Sequence, residues 1–143
     1  MAQNIAVFGM AGICRSAAYA ALGAAAGLAM ASSAHAASAA KGKDVFQSQC
    51  AACHSAQKGD NGIGPSLYGV YGSHAASVPG YNFSSALKSS KIVWNQKTLD
   101  KFLANPQGYV TGTKMTYPGL PSASKRADVI AYLKTLGGNG AGK

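Results

Sequence analysis

The chain has 143 residues, 48% apolar and 12% charged, and its 13 Lys and Arg against 4 Asp and Glu give a formal net charge of +9 at pH 7. That length means one domain with a modest core. The basic side chains are scattered, with only Lys125 and Arg126 adjacent, which speaks against a nucleic-acid binder and for a surface that favours acidic partners.

Residues 1–36 hold no acidic residue and one basic one, Arg15, followed by the run AAYAALGAAAGLAMA over 17–31 and then by Ala34-His35-Ala36. This is the pattern of a secretory signal peptide with an A-x-A cleavage site. The apolar run is short of the roughly 20 residues needed to cross a bilayer, so an uncleaved anchor fits less well. Ile13 before Cys14, with the apolar run after that cysteine, does not fit a lipoprotein signal. Cleavage leaves residues 37–143 as a single exported domain in the periplasm, without stable membrane insertion. Its 107 residues carry twelve basic and four acidic side chains, a formal +8.

The first helix is predicted over about 41–52, with Val45 and Phe46 as its apolar contacts. Residues 55–83 are dominated by Gly, Ser, Asn and Pro and show no periodicity over nearly thirty residues. A compact domain seldom tolerates such a loop unless it wraps a large apolar ligand. A short helix is expected around 84–89. A further helix starts near Asn95, carries Leu99, Phe102 and Leu103 at helical spacing, and stops at Asn105-Pro106. The clearest helix is SKRADVIAYLKTLGG, with Ser124 as N-cap, Val129, Ile130, Leu133 and Leu136 along one face, and Gly137 as the left-handed stop. No strand alternation is visible, so the fold class is all-α, three main helices plus long loops; the tail GGNGAGK is a flexible end.

The chemistry concentrates in CAACH, Cys50 to His54. A zinc site would need Cys50, Cys53, His54 and His74 together, the only cysteines and histidines beyond the leader, and His54 adjoining Cys53 cannot readily turn to the same metal. A thioredoxin-like pair wants a βαβ unit, which the pattern lacks. A disulfide across two residues closes too small a loop to stabilise much. Covalent haem attachment accounts for all five residues: two thiols two apart form thioethers to one haem, and the following histidine is aimed at the iron. Of the four methionines only Met115 lies beyond the leader, in GTKMTYPGL, outside any apolar pattern that would make it core filler. It is the candidate second iron ligand, with His74 as its rival.

These residues resemble those of the class I c-type cytochromes, the family containing mitochondrial cytochrome c and its bacterial relatives. The resemblance covers nearly all of 37–143 and rests on CAACH, on GPSLYGVYG at 64–72, on Trp94, on LANPQGYVTGTKM at 103–115 and on DVIAYLK at 128–134. It implies a small cytochrome c fold wrapped around one haem c bound through Cys50 and Cys53, with His54 and Met115 on the iron. Pro65 is similar to the proline whose carbonyl accepts from the other imidazole nitrogen, and Trp94 to the tryptophan that reaches a propionate. Ser84 and Thr113 stand where the family places hydroxyls near the propionates or the methionine side. Gly42, Phe46 and Tyr132 look like the crossing of the first and last helices.

The pattern departs from many relatives at Phe102 and Phe83, which replace tyrosines, at Ser73, which replaces an arginine, and at Gln107 and Gly108, which replace lysines. What the resemblance implies is a monomeric electron carrier and not an enzyme, passing electrons between redox proteins such as a quinol-cytochrome reductase and a terminal oxidase or other acceptor. Lys114 is expected to help steer an acidic partner.

Overall fold

In the computed structural model, residues 36–137 are described. The leader, apart from Ala36, and the tail beyond Gly137 lie outside the described residues. Five helices follow in order: α1 Ala39–Gln49, α2 Ser85–Ser89, α3 Gln96–Ala104, α4 Pro106–Tyr109 and α5 Ala123–Thr135. Among the described residues the one β feature is an isolated antiparallel bridge between His74 and Val93. None of their helices is long and apolar enough to cross a membrane.

Each helix begins where a side chain can accept an orphan amide. Ser38 Oγ accepts from Lys41 N, Ser84 Oγ from Leu87 N at 3.2 Å, and Asn95 Oδ1 from both Lys97 N and Thr98 N, while Thr98 Oγ1 returns an acceptor to Asn95 N in a full capping box. Three boundaries differ from the sequence reading. α1 ends at Gln49 and not near 52, because the next amides tighten into turns: Cys53 N and His54 N both donate to Cys50 O, at 3.1 and 2.9 Å. α5 is capped by Ser122, not Ser124, since it is Ser122 Oγ that accepts from Lys125 N. Asn105-Pro106 ends α3 but also starts α4, with Asn105 Oδ1 accepting from Gly108 N at 2.9 Å and Pro106 in the first turn, where its missing N–H costs nothing.

α1 crosses α5, and α5 also packs on α3. The crossing is tight at Gly42, where a Cβ would overlap the Asp128 carbonyl oxygen and lie 2.9 Å from Tyr132 Cβ. Beside it Phe46 meets Tyr132 with ring centroids 5.4 Å apart, so the crossing expected of Gly42, Phe46 and Tyr132 is present. Val129, Ile130 and Leu133 of α5 are buried, Ile130 at 0% exposure, and join Leu99, Phe102 and Leu103 of α3 in one apolar cluster. Asp128 is buried at the same crossing, and its Oδ1 accepts from Ser38 N at 2.7 Å, tying the start of α1 to α5.

The stretch from 51 to 84 has no helix, as its composition implies. It is pinned by scattered bonds: Gly72 N to Trp94 O at 2.7 Å, Trp94 N to Ser73 O at 2.9 Å, Ala75 N to Ile92 O at 2.8 Å and Tyr81 Oη to Ile63 O at 2.8 Å. Gly69 N donates to Leu136 O at 3.0 Å, and Gly137, at φ 88°, turns the chain away where any Cβ would press on Gly69.

Candidate functional site

The helices and the long loop surround a cavity of about 430 Å³, within the range of sites that hold small organic ligands. All eight predicted site residues, Cys50, Cys53, His54, Pro65, Ser84, Trp94, Thr113 and Met115, line it. Most of the remaining wall is apolar, from Val70, Phe83 and Leu87 to Leu99, Phe102 and Leu133. His74, the rival ligand, is on the wall as well but is exposed.

His54 is held on two sides. Its Nδ1 lies 2.8 Å from Pro65 O; a carbonyl only accepts, so Nδ1 carries the proton and Nε2 keeps a free lone pair. Gly64 lies close against the ring, and a Cβ there would overlap Cε1 and stand 2.6 Å from Nδ1. Burial lowers the imidazole's pKa below its ordinary value, partly opposed by the Pro65 bond. The neutral ring is the metal-binding form.

Cys50 is half-buried and Cys53 exposed, and neither is in a disulfide. The Cys50 thiol is pushed up to about 11, first by burial and then by the Cys53 charge. A redox-active pair needs the opposite, a thiol pKa well below its free value. Among the described residues no three His, Cys, Asp or Glu side chains converge as a metal-ion site, so the four zinc candidates do not form one.

The other site residues have local partners. Ser84 Oγ caps α2, and Thr113 Oγ1 accepts from Met115 N at 3.3 Å. The Trp94 and Phe102 rings meet at a tilt of 52°, with 5.0 Å between centroids. Three contacts escaped the sequence reading. Lys114 Nζ donates to Asn82 O at 3.0 Å, Tyr117 Oη donates to Gln49 Oε1 at 3.2 Å, and Gln107 Nε2 donates to Thr113 O and Met115 O at 3.1 and 2.7 Å. Each joins segments that no local pattern relates.

A haem fits this donor set. The thiols, an imidazole with a free Nε2 and a half-buried thioether line the same mostly apolar cavity.

The family model "Cytochrome c" matches residues 39–137. A cytochrome c of Euglena viridis is 52% identical over 96 residues, 67% of this chain and 94% of that protein. A cytochrome c2 of Rhodopila globiformis is 53% identical over 96 residues, 67% of this chain and 91% of that protein. The solved structure of cytochrome cH from Methylobacterium extorquens superposes with a TM-score of 0.65 at 47% identity, covering 68% of this chain and 98% of that one.

Proposed function

The chain belongs to the cytochrome c family, and on that premise we propose that it is an exported, monomeric carrier whose single haem iron is held between His54 and Met115. It is an electron carrier, with haem c covalently attached through Cys50 and Cys53. Bound there, the haem supplies a one-electron iron couple, which a His/Met ligand pair biases toward high potential.

The observation that carries the ligand reading is the Nδ1–H bond of His54 to Pro65 O at 2.8 Å in the cavity that Met115 also lines. It fixes the ring and raises the basicity of Nε2 toward a metal. The apolar wall excludes water and so limits rearrangement as charge changes. Trp94, Ser84 and Thr113 are the groups proposed to face the propionates and the methionine side. No catalytic acid, base or nucleophile is required.

The formal +8 of residues 37–143 suits acidic redox partners, and a quinol-cytochrome reductase and a terminal oxidase are the proposed donor and acceptor. Export to the periplasm after cleavage at Ala36 is part of the same reading. The purified protein should then have the mass of residues 37–143 plus one haem; a mass that includes residues 1–36 would refute cleavage.

Because His74 also lines the cavity, the ligand assignment is tested by a pair of variants. Met115→Ala should abolish the weak absorption band of sulfur on ferric iron, open the iron to carbon monoxide, and lower the potential by on the order of 0.1 V, well inside the ~0.8 V that axial ligands span. His74→Ala should change none of these. If the histidine variant alone alters the iron spectrum, the sixth ligand is misassigned.

A further inference from the structure

Between Lys114 and Gly119 the main chain makes no backbone-to-backbone hydrogen bond among the described residues; Thr113 N to Val110 O and Leu120 N to Leu103 O bracket the stretch. The segment that carries the Met115 thioether is therefore placed by side chains. Lys114 and Tyr117 reach outward from it to Asn82 O and Gln49 Oε1. Thr113 Oγ1 braces it internally through Met115 N. The bond that lands on the Met115 carbonyl comes from Gln107 Nε2, at 2.7 Å, and the same nitrogen reaches Thr113 O at 3.1 Å.

We propose that Gln107 is a positioning residue that fastens the Met115 segment to α4 and thereby controls how readily the sulfur leaves the iron. The proposal rests on the His54/Met115 ligand reading. Both acceptors are carbonyls, so the amide orientation is unambiguous: only the NH₂ end, with its two hydrogens, serves both. The anchor is itself fixed, because Pro106 is buried and Asn105 Oδ1 holds Gly108 N at 2.9 Å. One side chain thus holds the chain at two carbonyls, those of residues 113 and 115. Displacing the sulfur requires this stretch to open locally, and the opening free energy of a segment with so few backbone bonds is set by the side-chain bonds that remain.

The test uses the holoprotein and two variants. Gln107→Leu removes the donors and keeps much of the bulk; Gln107→Glu turns a carboxylate toward two carbonyls and should act more strongly. For Gln107→Leu we expect imidazole to bind ferric iron about tenfold more tightly, the effect of one or two lost net hydrogen bonds. Amide exchange of Met115, whose N–H donates to Thr113 Oγ1, should rise by a similar factor in the reduced protein, with helical circular dichroism unchanged. Exchange unchanged in both variants would show that Gln107 does not fasten the segment. Faster exchange with unaltered imidazole affinity would show that the tether does not guard the iron, and either result overturns the proposal. A failure of the ligand reading is separately visible, as a Met115→Ala protein that keeps the sulfur band, and it would remove the guarding role whatever the exchange rates.

Discussion

Replacing Cys50 and Cys53 together by Ser is expected to leave the domain largely unfolded at room temperature. The cavity these residues line, about 430 Å³, draws its walls from the end of α1, the loop residues 63–83, α3, the segment 113–118 and α5. Those parts therefore turn apolar side chains toward the haem as well as toward one another. The serines keep nearly the size of the cysteines but cannot form thioethers, which removes the covalent hold on the group that fills the cavity. Without that group the apolar walls face water, at a loss of about 25 cal/mol per Å² of apolar surface, against a net stability of only ~5–15 kcal/mol. Ordering 51–84, a stretch with no helix, adds an entropic cost of about 1–2 kcal/mol per backbone residue, offset by its scattered hydrogen bonds together with contacts to the cavity's occupant. Far-UV circular dichroism of the double variant should lose most of the wild-type helical signal. A haem-free double variant with the full signal would show that the walls stand on their own and that this account of the loop is wrong.

The helices were legible where local signals agree. Asn95 with Thr98 is a cap written in four residues, and Leu99, Phe102 and Leu103 continue it at helical spacing, so α3 could be read directly. At the start of α5 the sequence offers two serines two apart. The choice of Ser122 goes with contacts that local pattern does not contain: Arg126 reaches back to Leu120 O and Pro121 O and pairs with Asp100 on α3. α4 was hidden because Asn-Pro signals an end and a beginning alike.

Within the site, CAACH is legible because all its chemistry falls within five consecutive residues. Met115 could be picked out only because no other methionine lies beyond residue 36. Gln107 carried no signal of its role. A glutamine after proline reads as solvated surface, and only the return of the chain, eight residues on, brings the Met115 carbonyl to its amide.

Gly42→Ala should be the most disruptive single methyl that can be added to α1. The new Cβ would overlap the Asp128 carbonyl oxygen, with Tyr132 Cβ at 2.9 Å, and a carbonyl inside α5 cannot rotate away without breaking its own helix. The two helices must therefore separate. Separation loosens the Phe46–Tyr132 contact and the packing around Val129 and Ile130, and it strains the bond from Ser38 N to buried Asp128. Overpacking of this kind costs typically ~1–3 kcal/mol and occasionally more, while the better helix propensity of alanine returns about 1 kcal/mol. Backbone is the obstacle here and not a flexible side chain, so the upper end applies and a net loss of about 2 kcal/mol is expected. For a domain of about 100 residues that lowers the melting temperature by roughly 10 °C or more. The haem spectrum at low temperature should stay as in wild type, because Gly42 is not on the cavity wall. Gly42→Val, with more bulk at the same crossing, should fall further. A melting temperature for Gly42→Ala at or above the wild-type value would mean that α1 and α5 cross at a wider separation than the structure gives them.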